Sequence, residues 1–175
     1  MPILQNILLG IVTGQFLVYS QLDSIFWPYI GSDLSNLKSQ IPLTHRNAMI
    51  SFYRAISGSA ANAQYFLLAT VILLLLSFLG GIVQNNGAKR FLNAGSLLAF
   101  SGAVAVELIY SRPLIDAILN KKGGKVIENL FWLATSHFGI CVLLLVTISL
   151  QISTEQDEVS DEELEEPEIS KAKKE

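Results

Sequence analysis

Ionisable residues are rare inside the apolar stretches of this 175-residue chain, so the few that occur there are the first candidates for chemistry. Glu107 stands near the end of FLNAGSLLAFSGAVAVELIY, and His137 lies in FWLATSHFGICVLLLVTISLQI beside Thr135 and Ser136. A carboxylate and an imidazole in one intramembrane pocket are equipment for acid–base chemistry, provided that they face one another and further polar groups join them. Each also has a structural alternative. Glu107 lies about one turn from the end of its segment, close to Arg112, where an interfacial ion pair would satisfy it. His137 could equally be a hydrogen-bonded packing residue. His45 and His137 lack the spacing that zinc requires. The single cysteine, Cys141, sits in an apolar run and can close no intramolecular disulfide. No Ser/His/Asp set, Gly-rich phosphate loop or paired intramembrane carboxylates are found, so no catalytic residue, cofactor or metal is assigned and an enzyme is not expected.

The elements that must position these residues are long and apolar. Hydrophobic residues make up 51% and charged residues 15% of the chain, well below the roughly 25% charge of a soluble domain. The apolar residues fall in blocks where an amphipathic pattern would have broken them up. A helix needs about 20 mostly apolar residues to cross the hydrocarbon core. Four segments without a basic residue meet this: about Ile3 to Leu22, Ala63 to Val83, Phe91 to Tyr110 and Leu130 to Ile152. The predicted fold is an all-α membrane protein, a four-transmembrane-helix bundle over residues 1–152. The opening MPILQNILLG has no basic n-region and no cleavage pattern after it, so the first segment reads as a retained span. Trp27, Tyr29, Tyr65, Tyr110 and Trp132 fall near the proposed span ends, at the headgroup level that amphipathic rings prefer.

The connections are polar. About 40 residues separate the first two spans, and SFYRAISGSAANAQYF within them is able to extend the second helix beyond the bilayer. QNNGAKR is short enough to make spans two and three antiparallel neighbours, while SRPLIDAILNKKGGKVIEN carries Pro113 and Gly123–Gly124 as breakers. Up to Ile152 there are nine Lys/Arg against five Asp/Glu, and beyond it three Lys against ten Asp/Glu. Residues 153–175 therefore read as a disordered, solvated acidic tail, which is no partner for nucleic acid. Lys/Arg counts alone would place the tail outside the cell or in a lumen, because the two loops opposite it hold seven basic residues.

Small residues recur where helices could approach closely. Gly10 and Gly14 form a GxxxG in the first span, and Gly95, Ala99 and Ala103 a stripe in the third that Glu107 continues. Such stripes serve packing within a bundle or docking of another protein's spans, because lipid supplies no hydrophobic drive for association. At the other extreme of the chain, Lys171 and Lys173 are the fifth and third residues counted back from the carboxyl end. They resemble the lysine-based retrieval signal of endoplasmic reticulum membrane proteins, a receptor-read address that works only on the cytosolic side. That reading overrules the charge count and makes both termini cytosolic. Asp161 and Glu163 form an Asp-x-Glu pair of the kind associated with coat-dependent export, and Ser160 before Asp-Glu-Glu suits an acidophilic kinase.

ILLGIVTGQ leading to SIFWP, SFYRAISGSAAN before the second span, FLGG near its end, FLNAGSLLAFSGAVAVELIY, and LATSHFGICVLLLVTISLQ closing on Leu150–Gln151 together resemble one family. It is the fungal SH3-type endoplasmic reticulum membrane chaperone family, the secretory component that packages amino-acid permeases. The family usually has an aspartate-tyrosine pair after the first span and a proline pair before the second, where VYSQLDS and SGSAANA stand here. The resemblance implies a non-catalytic, multi-pass protein of the endoplasmic reticulum membrane. Its body would shield the spans of nascent permeases, its tail would meet vesicle coat components, and Gly10, Gly14, Gly95, Ala99, Ala103 and Glu107 would make helix or client contacts. The alternative from another class is a small four-span membrane enzyme, anthrone-oxygenase-like or lipid-modifying, using His137 and Glu107.

Overall fold

A computed structural model of the chain describes residues 2–30, 41–58, 61–120 and 125–172. Helix α1 spans Pro2–Asp23 and a 3-10 turn Trp27–Tyr29. Helix α2 spans Leu43–Ser57, α3 Ala61–Gln84 and α4 Gly87–Val106. A π-helical turn, Glu107–Ser111, leads directly into α5, Arg112–Leu119, and α6 runs from Val126 to Ala172. No strand occurs among the described residues.

Helices α1, α3, α4 and α6 form a bundle whose directions follow from its hydrogen bonds. Gln5 at the start of α1 donates from Nε2 to Gln151 Oε1, late in α6, at 2.6 Å, and accepts at Oε1 from Ser77 Oγ, late in α3, at 3.1 Å. Gln151 Nε2 donates in turn to Ser96 Oγ, early in α4, at 2.7 Å. Helices α1 and α4 therefore run one way and α3 and α6 the other. Four buried or half-buried side chains, one from each helix, share a single network. In lipid this is how a bundle satisfies polar groups that have no water to turn to. Gly81 of α3 belongs to the same end. A Cβ there would lie 2.6 Å from Asn93 Oδ1, and Asn93 is buried and held by its Nδ2 bond to the Lys89 carbonyl. Only glycine allows α3 and α4 to meet at this point.

The core has two parts. One, inside the bundle, is built from Leu8, Val12, Phe16, Phe78, Phe100 and Leu144. The other, at the opposite end from the glutamine network, gathers Phe26, Met49, Tyr53, Ile118, Leu130 and Leu133, with α2 and α5 folded over the start of α6. Outside, Leu4, Leu17, Leu76, Leu98 and Leu145 are each more than half exposed, the surface expected of helices solvated by acyl chains.

Several sequence expectations change here. Among the described residues, three helical stretches are long and apolar enough to cross a membrane: Gln64–Gln84, Gly87–Leu119 and Val126–Thr154. Helix α1 is 22 residues long and carries Gln5, Asn6, Gln15 and Gln21 among its apolar residues. The segment SFYRAIS does not extend α3; it ends a separate helix at Gly58. Residues 112–119 are helix, because Pro113 stands in the first turn of α5, where its missing N–H is tolerated. Nor is the acidic extension irregular, since α6 continues to Ala172. Glu, Gln, Leu and Lys are good helix formers, and the span supplies the nucleus that an isolated segment would lack. Lys121, Lys122, Gly123, Gly124 and Lys173 lie outside the described residues.

Replacing Gly81 by valine is expected to lower stability by about 1–3 kcal/mol through overpacking against Asn93, whereas Gly10→Ala, with open space around its Cβ, is expected to change it by less than about 0.5 kcal/mol. Chemical unfolding of the purified protein in detergent measures both; equal effects would refute the close approach of α3 and α4.

Candidate functional site

Between the two cores the interior becomes polar again. Asp23, the last residue of α1, is fully buried. It lies on the same inward face as Gln5, Leu8, Val12, Phe16 and Tyr19, at spacings of three and four residues. Its carboxylate is gripped from two sides. Tyr53 of α2 donates from its hydroxyl to Oδ1 at 2.7 Å, and His137 of α6 is held through Nδ1 to Oδ2 at 2.5 Å. Burial, and then the charge of Asp23, push the Tyr53 phenol well above its ordinary range, so it stays a donor. Tyr19 stacks on the imidazole with ring centroids 5.2 Å apart, and Phe16 meets it edge-on. His45 Nε2 donates to the Leu22 carbonyl at 2.9 Å, which fastens the start of α2 to the end of α1 and brings Tyr53 over Asp23.

The other ring nitrogen of His137 points at Glu107. His137 Nε2 and Glu107 Oε2 are 3.9 Å apart, and neither has a hydrogen-bond partner among the described residues. The second oxygen of Glu107 accepts from Arg112 Nε at 3.2 Å. This pairing depends on the π turn. In an α-helix, residues five apart point in different directions, but here the Arg112 N–H bonds the Glu107 carbonyl and brings the two side chains onto one face. Ser111, at the end of the turn and fully buried, meets Ser136 Oγ at 3.0 Å, tying the turn to α6 one residue before His137. A cleft of about 580 Å³ opens beside this cluster, bounded by Gln15, Tyr19, Phe52, Gln64, Glu107 and Arg112.

Glu107 and His137, weighed from the sequence as a pair in one pocket, are thus brought together, and both of their structural alternatives are realised as well: Glu107 is ion-paired and His137 is held in packing. The small residues separate. Gly10 and Gly14 face outward with nothing within 4 Å of a Cβ, while Gly95 packs against Leu150 and Ala103 belongs to the bundle core; Ala99 is half-buried. Asp23 and Tyr53 were not singled out by sequence reasoning. The inward face of α1, which ends at Asp23, is the signal that points to the first of them. Among the described residues no group of His, Cys, Asp and Glu is arranged to hold a metal ion.

Comparison with known proteins gives one family. Residues 24–175 match the model of a chaperone family described as ER membrane protein SH3. The matched region holds Tyr53, Glu107 and His137 and all but the first of the segments that carried the sequence resemblance. Neither a curated protein nor a solved structure matches the chain.

Removing the shared acceptor with Asp23→Ala is expected to cost about 3–5 kcal/mol, since it strands two buried partners. Tyr53→Phe alone should cost about 1.5–3 kcal/mol, the worth of a hydrogen bond to a charged group, and far less once Asp23 is already alanine. A double-mutant cycle on unfolding in detergent tests this; strictly additive losses would show that the contact carries no coupling energy.

Proposed function

The chain belongs to the ER membrane protein SH3 family, a family of chaperones, and we propose that it assists the folding and endoplasmic reticulum exit of polytopic amino-acid permeases. The family match over residues 24–175 is the observation that carries this reading. The physical need is general: spans of a permease that await their neighbours expose polar groups to hydrocarbon, at several kcal/mol for each one left unsatisfied. A bundle that satisfies its own interior while presenting apolar helix faces is suited to stand in for those neighbours.

In this reading α1 is the fourth span and both chain termini are cytosolic. Support comes from the glutamine network, which puts the start of α1 beside the end of the α6 span. Gly10 and Gly14 are the first candidates for client contact because they face outward, whereas Gly95, Ala99 and Ala103 serve the bundle. The acidic part of α6 would meet vesicle coat components, and Lys171 with Lys173 would return the protein to the endoplasmic reticulum.

The facing of His137 and Glu107 favours one second reading, a small membrane enzyme working by acid–base chemistry. Glu107→Gln separates the two, since it keeps the side chain's shape and its hydrogen bonding but removes the ionisable carboxylate. Permease export near the wild-type level in a folded variant supports the chaperone; loss of a catalytic product with folding intact supports the enzyme.

The direct test compares wild-type cells with cells lacking this chain, separating plasma-membrane from endoplasmic reticulum fractions. Amino-acid permeases held in the endoplasmic reticulum, with other cargo exported normally, are the expected result. An unaltered permease distribution would sink the proposal.

A further inference from the structure

We propose that the cleft lined by Arg112 and Asp116 binds one phospholipid with an ethanolamine headgroup: its phosphate on the Arg112 guanidinium, its primary ammonium on Asp116, and the upper part of one acyl chain in the recess that opens from the cleft. The inference goes beyond the chaperone reading and does not depend on it.

The cleft lies where headgroups lie. Helix α4 has 20 residues and so rises about 30 Å, the thickness of the hydrocarbon core. Glu107 and Arg112, just past its end, come to the headgroup level. On the facing wall, Gln64 is the first residue of the apolar stretch of α3. A recess of about 120 Å³ opens from the cleft and shares Gln15, Gln64, Glu107 and Arg112 with it. Its remaining wall is apolar, formed by Val71 of α3, Phe16 of α1, Phe100 of α4 and Leu144 of α6 among others. From Gln64 to Val71 the wall descends about 10 Å, two-thirds of the roughly 15 Å that one leaflet contributes to the core. Leu68 and Leu108 at its edge are more than half exposed, so acyl chains reach it directly. A helix, about 10–12 Å across with its side chains, is too wide for such a recess; one acyl chain is not.

The polar groups select the headgroup, and they are accessible. Arg112 gives only Nε to Glu107; its two amino groups bond no other described residue, and its side chain is 53% exposed. The free part of a guanidinium is a fork that matches phosphate oxygens. Water hydrates such a group but gains nothing from the apolar recess beneath it, whereas an amphiphile satisfies both. Asp116 is exposed, stands four residues after Arg112 on the same face of α5, and lines the same cleft. Two carboxylates, Glu107 and Asp116, against one cation disfavour a headgroup of net negative charge and suit a zwitterion, with its phosphate and its ammonium set apart as Arg112 and Asp116 are. A primary ammonium donates three hydrogen bonds, and Asp116, Gln64 and Ser57 offer acceptors for them. A trimethylammonium donates none and relies on aromatic faces, but of the two rings on the wall Tyr19 is buried and Phe52 half-buried. Ethanolamine therefore fits better than choline.

The test titrates the full-length protein in detergent with phosphatidylethanolamine, phosphatidylcholine and phosphatidylglycerol of identical dioleoyl chains, and counts bound lipids by native mass spectrometry. The first ethanolamine lipid is expected to bind about tenfold more tightly than either of the others, the worth of one charge-assisted hydrogen bond. Arg112→Gln should abolish the preference, and Leu98→Ala, on the outer face of α4 where Leu98 is 77% exposed, should leave it intact. Asp116→Lys makes the cleft net positive and should turn the preference toward phosphatidylglycerol, a gain that misfolding does not produce. Glycerophosphoethanolamine, which has the headgroup and no acyl chains, should compete about a hundredfold less well, the worth of three or four buried methylenes. Equal binding of the three lipids, or no gain of phosphatidylglycerol in folded Asp116→Lys, overturns the inference; competition by the soluble headgroup equal to that of the lipid overturns the lipid as its source. None of these outcomes touches the chaperone reading, which the permease-distribution experiment decides independently.

Discussion

Hydrocarbon gives a polar side chain nothing to bond to, and the interior of this bundle is organised around that constraint. At one end the answer is neutral: Gln5, Ser77, Ser96 and Gln151 each come from a different helix and close a network among themselves. At the other end it is ionic. Asp23 is a carboxylate without solvent access, tolerable only because Tyr53 and His137 reach it from α2 and α6. The two ends also differ in completeness. The neutral network uses its donors and acceptors internally, whereas the ionic cluster ends on His137 Nε2 and Glu107 Oε2, which face each other without bonding.

Much of the local architecture exists to hold that cluster. The π turn brings Arg112 onto the face of Glu107, and the Ser111–Ser136 contact fixes the turn against α6. His45 fastens α2, the helix that carries Tyr53, across the end of α1, where Asp23 lies. π turns inside helices occur often at functional sites, because they disturb regular hydrogen bonding to re-aim a side chain. Here the turn leaves one oxygen of Glu107 paired and the other directed inward.

How far the sequence reveals this varies with the range of the interaction. Helices α3, α4 and the α6 span are plain from VILLLLSFLGGIV, FLNAGSLLAFSGAVAVELIY and FWLATSHFGICVLLLVTISLQI, because length and apolarity are local properties. Glu107 and His137 stand out for the same reason, as ionisable groups in such segments. Asp23 does not, since an acid at the end of a span is ordinary, and its partner His137 is 114 residues away. Tyr53 lies in a segment of mixed polarity where no pattern marks it. The GxxxG of α1 looks like a packing motif, yet the buried series Gln5, Leu8, Val12, Phe16 and Tyr19 turns Gly10 and Gly14 outward. Only the whole helical face, read together with its aromatic and polar members, shows which side is inside. The π turn has no sequence signature of its own; Pro113 suggests a break, and the chain instead changes its hydrogen-bond register.

The length of α6 affects the geometry of whatever meets its far end. From Thr154, the last residue of the span, to Ala172 is 18 residues. As a helix they reach about 27 Å; as a flexible coil the mean end-to-end distance would be roughly 20–25 Å. The distance is nearly the same, and what changes is direction. A coil would sweep its acidic residues through a hemisphere around its anchor. A helix continuous with a membrane span carries them along one line, so that the orientation of the bundle in the bilayer also sets the bearing of its charged arm.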